Sequence, residues 1–196
     1  MEYHIFYINL DKRTDRREQI EYELQRMGLK GERFSAVYHE FGEYGCSVSH
    51  YKVLQIAKAR GYKNILIFED DFEFIVSKEV FEQNMEALAN VDFDIVMLGY
   101  SIQKWEPYSP LLMKVNDATT TSGYIINEKF YDALIDNLKE NITKLIQTRE
   151  HWHYTIDQCW KVLQPTSKWY AFNERIGVQR ASFSDIENIY QDYRGV

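Results

Sequence analysis

Positions Tyr3 to Leu10 form a nearly continuous apolar and aromatic run, the pattern of a strand covered on both faces in a parallel sheet. The period then changes. Asp15 and Glu18 have the spacing of a capping box, Ile20, Leu24 and Met27 fall at i, i+4 and i+7, and Gly28 stands where a helix-ending glycine belongs. The alternation recurs downstream. Arg33 to Val37 is a short candidate strand, Ser47 to Arg60 a helix ended by Gly61, Asn64 to Phe68 a strongly apolar strand, and Val80 to Ala89 a further helix. Asp94 to Leu98 and Gly123 to Asn127 give two more strands, the second leading into a helix with Phe130, Leu134 and Leu138 in register. Strands alternating with helices predict an α/β sandwich with a mainly parallel sheet flanked by helices. The stretch Ser101 to Thr121 is the longest without either period, and is expected to be a mobile loop of the lid or binding type.

With 196 residues and no repeat, low-complexity tract or Gly/Ser linker, the chain is expected to be one domain, 1–196. Hydrophobic residues make up 45% and charged residues 27%, with only 3 Pro and 9 Gly, an ordered composition rather than a disordered or fibrous one. Lys and Arg total 23 against 30 Asp and Glu, a net charge of -7. That balance argues against a nucleic-acid backbone or an anionic membrane as the main partner. Cys46 and Cys159 form neither a disulfide framework nor a zinc pattern, so a reducing compartment is the expectation. No basic and then apolar leader opens the sequence, and no 18 apolar residues run together, so a soluble cytoplasmic chain without a transmembrane segment is expected.

The strand ILIFEDDF, residues 65 to 72, carries the strongest chemical signal, because four apolar residues run straight into Glu69, Asp70 and Asp71. Ligands of open α/β sheets bind beyond the carboxyl ends of strands, where these acids stand. In extended chain Glu69 and Asp71 share a side and Asp70 opposes them, so an acid-x-acid pair is predicted to hold one hard divalent ion, Mg²⁺ or Mn²⁺, with substrate phosphates completing its shell. The alternative is a solvated acidic loop. In FYINLDKRTDRR, residues 6 to 17, Arg13, Arg16 and Arg17 oppose the dipole of the first helix; either a bound pyrophosphate or pairing with Asp11, Asp15 or Glu18 accounts for them. GCSVSH at 45 to 50 places Gly45 in a turn, a serine as helix cap, and His50 on the face of Val53, Leu54 and Ala57, as a core histidine or a cleft residue. In HYTIDQCW at 153 to 160, Thr155 and Gln158 resemble a capping box, which puts Asp157 in a first helical turn as a dipole-stabilised acid or a base.

Four blocks in order, FYINLDKRTDRR, RFSAV with GCSVSH, ILIFEDDF and SGYIIN at 122 to 127, resemble glycosyltransferase family 25, the lipooligosaccharide and collagen β-galactosyltransferase type. VQRASFSDIE at 178 to 187 is similar to the end of its shorter members. The resemblance implies a single GT-A-like, Rossmann-like domain, a UDP-sugar donor, Mn²⁺ or Mg²⁺, and transfer of a hexose, galactose or glucose, with inversion onto a hydroxyl of a glycan or hydroxylysine-type glycoprotein acceptor. It implies Asp157 and His50 as catalytic residues and Asn9, Leu10, Arg13, Arg16, Ser49, Glu69 and Asp70 on the donor side. Asp71 and Glu69 become metal ligands, with His151 and His153 candidates for a third. Two other functions stay open: a UDP-sugar-binding accessory or inactive domain that needs a partner, and a nucleotidyltransferase. A homo-oligomeric arrangement is also left open.

Overall fold

A computed structural model describes residues 1–184 and 189–191. It opens with β1 (His4–Asn9), α1 (Thr14–Arg26), β2 (Glu32–Ser35), α2 (Gly42–Arg60), β3 (Asn64–Glu69), β4 (Phe72–Phe74) and α3 (Lys78–Leu88). Then come β5 (Ile95–Met97), β6 (Ser101–Pro107), β7 (Leu112–Thr119), β8 (Gly123–Asn127), α4 (Tyr131–Thr148), α5 (His151–Tyr154), α6 (Ile156–Cys159), β9 (Trp169–Phe172), β10 (Gly177–Gln179), β11 (Ser182–Ser184) and β12 (Ile189–Gln191). Eight strands form one sheet in the order β2-β1-β3-β8-β5-β9-β7-β6. The sheet is mainly parallel in direction: β7 and β8 run against the other six strands.

The sheet is buried on both faces, which explains its unbroken apolar strands. On one face Phe6, Ile8, Ile65, Ile67 and Ile126 pack against α2 and α4 through Val53, Leu54, Leu134 and Leu138. On the other, Ile5, Tyr7, Leu66, Phe68 and Ile125 pack against α1 and α3 through Ile20, Leu24, Phe81 and Met85. Alternate residues of each strand thus serve opposite helical layers. Among the described residues no helix is long and apolar enough to cross a membrane.

Several local expectations are corrected. The Asp15–Glu18 capping box does not form: α1 is preceded by Arg13 at the cap position, without a side-chain cap bond, and Asp15 instead accepts the Arg13 fork at 2.9 and 2.8 Å. Helix α2 begins at Gly42, so Gly45 lies inside it rather than in a turn. A Cβ there would come 2.5 Å from the Val37 carbonyl oxygen, so glycine permits the close approach of α2 to the chain after β2. Ser47 and Ser49 do not cap; each donates to the carbonyl four residues back, at 2.9 and 2.7 Å. Thr155 does precede α6 at the cap position, but its hydroxyl makes no cap bond.

The segment Ser101 to Thr121 is not a loop but the β6–β7 hairpin at the sheet edge. Its alternation is hidden because register shifts interrupt the pairing around Lys104, and because the buried residues of β7, Leu112, Val115 and Ala118, fall three apart. Three other strand sets were not anticipated: β9 inside the sheet, and the short antiparallel pairs of β4 with β10 and β11 with β12. The β4–β10 pair places Gln179 and Arg180 beside the acidic strand end. The close of the VQRASFSDIE block, residues 185–187, lies outside the described residues.

Candidate active site

Strands β1 and β3 pair in parallel and end together at Asn9 and Glu69. The chain turns at Asp70 and Asp71 before entering β4, so the three acids do not alternate as in a strand. Asp70 and Asp71 converge on one guanidinium, with Arg16 Nη1 donating to Asp70 Oδ1 and Asp71 Oδ2, each at 3.1 Å. Asn9 Nδ2 donates to Asp70 Oδ2 at 2.7 Å and to the Arg13 carbonyl at 3.0 Å. From the far end of the chain, Gln179 Nε2 donates to Asp71 Oδ2 at 3.1 Å and the Arg180 amide to the Asp71 carbonyl at 2.7 Å.

Glu69 faces a different set of partners. Its Oε1 accepts from the Thr121 hydroxyl at 2.5 Å and lies 3.2 Å from His50 Nε2, while His50 Nδ1 is 3.0 Å from the Tyr124 hydroxyl. A carboxylate only accepts, so Nε2 carries a proton. Burial pushes the Glu69 carboxyl up, but the His50 and Thr121 hydrogen bonds, with Arg16 nearby, bring it below its ordinary value. Burial, Glu69 and Asp70 outweigh Arg16 at Asp71, which is pushed up to about 7. Burial likewise raises Asp70 against the pull of Arg16 and Asn9.

Two cavities meet here. One, of about 210 Å³, is lined by Leu10, Arg13, Arg16, Tyr38, Asp70 and Asp71, and His50 and Ser49 also reach it. The other, of about 440 Å³, holds Asp157, Thr155, Thr121, Tyr100 and Arg175. Cys46, Glu69 and Gln179 line both. Asp157 Oδ1 accepts from the Thr155 hydroxyl at 2.9 Å, and burial raises its carboxyl above the ordinary value.

Leu10, Arg13, Arg16, Ser49, His50, Glu69, Asp70 and Asp71 are therefore brought to one cavity wall, Asn9 holds that wall from behind, and Asp157 stands in the adjoining space. Two assignments change in detail. Ser49 donates to Gly45 and accepts from the Val37 amide at 2.8 Å, so its hydroxyl ties α2 to the loop after β2. Arg13 directs its fork to Asp15, whose carboxyl it holds at about 2. His153 is not brought to the acids. It is exposed on α5 and lines a separate groove with Asn137, Lys144 and Trp152. Neighbouring His151 stands 3.8 Å from Glu43 instead.

Thr121, Gln179, Arg175 and Cys46 were missed as site residues. No local pattern marks Thr121 and Arg175, which arrive through topology, whereas Gln179 lies in the VQRASFSDIE block. Cys46 had a signal, since it lies one helical turn before His50.

An oxygen-ligated divalent ion fits the acidic turn. Asp71 Oδ1 is buried without a hydrogen-bond partner, beside two further carboxylates, and hard cations take such oxygen donors. The residues for it are Asp71 with Asp70 or Glu69.

The sequence from residue 40 to 160, more than half of the chain, matches the family model described as glycosyltransferase family 25 (LPS biosynthesis protein). A glycosyltransferase 25 family member of Drosophila pseudoobscura pseudoobscura is 27% identical over 63% of this chain and 25% of its own length. Procollagen galactosyltransferase 1-A of Xenopus laevis is 25% identical over 74% of this chain and 30% of its own length. The chain thus spans about a quarter to a third of the length of the curated relatives it matches. In architecture it resembles a glycosyltransferase involved in glycosylation of the major capsid of PBCV-1, with a TM-score of 0.51, 10% identity, and coverage of 95% of this chain and 96% of that one. The GT-A-like fold and the family match agree with the acidic strand end they surround: the chain belongs to glycosyltransferase family 25.

Proposed function

We propose that this chain, as one domain, is a metal-dependent inverting glycosyltransferase that moves a hexose, galactose or glucose, from a UDP-sugar to a hydroxyl of a glycan or hydroxylysine-type acceptor. The carrying observation is the meeting of two cavities at Glu69, one bearing Arg16, Asp70 and Asp71, the other bearing Asp157. The first is the donor side. Arg16 presents its guanidinium where a diphosphate would lie, and Lys12, 5.3 Å from the exposed Tyr38 ring, completes a basic and aromatic rim. Asp71 with Asp70 or Glu69 would hold a divalent ion, which would supply positive charge for the departing diphosphate.

Asp157 is the base. Its raised, half-buried carboxyl stands across Glu69 from the donor side, and it accepts the acceptor hydroxyl proton as that oxygen bonds to the anomeric carbon. The bond from that carbon to the diphosphate oxygen breaks at the opposite face, and UDP leaves with the electron pair. His50 supports this by holding Glu69 in place, itself fixed by Tyr124.

The test is binding followed by product analysis. UDP with Mn²⁺ raises the melting temperature of the native chain and not that of Asp71→Ala; no shift with any UDP-hexose overturns the proposal. A second reading is a donor-binding domain that needs a partner for its acceptor. Slow UDP-sugar hydrolysis by the chain alone, lost in Asp71→Ala, argues against that reading. Release of pyrophosphate in place of UDP points to nucleotidyl transfer.

A further inference from the structure

Cys46, His50 and Glu69 each offer one ligand atom to a common point, and these atoms all lie within 4.8 Å of one another. Cys46 and His50 are successive turns of one face of α2, and Glu69 closes the triangle from the end of β3. The His50–Glu69 edge measures 3.2 Å. Ligands about 2.0 Å from a tetrahedral ion stand about 3.3 Å apart, so that edge already has tetrahedral dimensions.

The surroundings suit an ion as well. His50 is fully buried and its other nitrogen is held by the Tyr124 hydroxyl, the outer-shell partner that orients a ligating imidazole. Cys46 and Glu69 border both cavities, which leaves a fourth position for water. Glu69, Asp70, Asp71 and Asp157 all line the two cavities that Cys46 borders, so four carboxylates surround the position of the triad. A dication placed there answers their charge.

We propose that Cys46 Sγ, His50 Nε2 and a Glu69 carboxylate oxygen form a site for a thiophilic divalent ion of the zinc class, separate from the all-oxygen site at Asp71. Sulfur and imidazole nitrogen select zinc, cobalt(II) or cadmium over magnesium or manganese. On binding, the Cys46 thiol proton leaves to solvent and the proton of the neutral imidazole moves from Nε2 to Nδ1, where the Tyr124 oxygen accepts it and Nε2 is freed for the ion. One proton is released per ion. Occupancy by zinc would engage Glu69 and leave the oxygen site to Asp71 with Asp70.

The experiment is titration of the full chain with Co²⁺, followed by absorption. The expected result is one equivalent bound with a thiolate-to-cobalt charge-transfer band and tetrahedral visible bands, kept in Cys159→Ser, absent in Cys46→Ser, and displaced by Zn²⁺ but not Mg²⁺. Tyr124→Phe is expected to weaken Co²⁺ by about 10–100-fold. In the unaltered chain, Zn²⁺ slows alkylation of Cys46 as read by peptide mass spectrometry, which keeps the test valid if a variant fails to fold. Absence of the charge-transfer band, its persistence in folded Cys46→Ser, or an alkylation rate indifferent to Zn²⁺ overturns the site. None of these readouts involves sugar transfer, so failure here and failure of the transferase reading are separate results.

Discussion

Replacing Asp71 by asparagine tests the electrostatics of the donor side directly, because the exchange removes an ionisation and keeps the shape. In the folded chain the Asp71 carboxyl is pushed from 3.8 up to about 7 by burial, Glu69 and Asp70. The native state therefore binds a proton that the unfolded state has released across the window from about 4 to 7. The number of protons bound is larger in the native state there, so stability falls as pH rises through that window and levels off above it. Taking 3.8 for the unfolded chain and about 7 for the folded one, the loss between pH 5 and pH 8 is about 2–3 kcal/mol. The asparagine side chain has no proton to lose. Urea unfolding of both chains at pH 5 and pH 8 reads the difference. The native chain is expected to lose about 2–3 kcal/mol more than Asp71→Asn over this interval. Equal losses refute the argument and make Asp71 an ordinary ionised surface acid. Unfolding of Asp71→Asn at both pH values makes it a structural acid.

Three further outcomes follow from the packing and the site. Phe68 is fully buried with its ring 4.7 Å from Phe72 and 5.4 Å from Phe74, so Phe68→Ala is expected to cost about 3–5 kcal/mol in urea unfolding. A Cβ at Gly177 would run into the Phe72 ring and stand 2.7 Å from the Glu73 carbonyl oxygen, so Gly177→Ala is expected to cost about 1–3 kcal/mol by denaturation and to loosen the hold of Gln179 on Asp71. Asp157→Asn is expected to lower turnover in a UDP-release assay while calorimetric UDP affinity stays unchanged; a lost UDP affinity would move Asp157 to the donor side.

The sequence was most legible where one physical cause acted alone. β1 and β3 are buried on both faces, so their apolar runs report the sheet without ambiguity, and Gly61, left-handed with φ 67°, closes α2 where its glycine predicts. The β6–β7 hairpin was hidden because its register shifts break the two-residue period. β4 and β10 have only three residues each, too few for any period, and their pairing is a long-range event. The same distinction holds at the site. Glu69, Asp70 and Asp71 were legible because a buried strand ends on them. Their directions were not, because the chain turns at Asp70 and Asp71, which sends both acids to Arg16 and leaves Glu69 to His50 and Thr121. His153 was a candidate through the resemblance, as the late histidine ligand it implies, and the exposed face of α5 carries it away from the acids.

The most direct test of the account is release of UDP from a panel of UDP-hexoses by the purified chain with Mn²⁺. The predicted result is metal-dependent UDP release from UDP-galactose or UDP-glucose, stimulated by a hydroxyl acceptor and abolished in Asp71→Asn. Failure to release UDP from any UDP-hexose, or release that persists undiminished in Asp71→Asn, would contradict it.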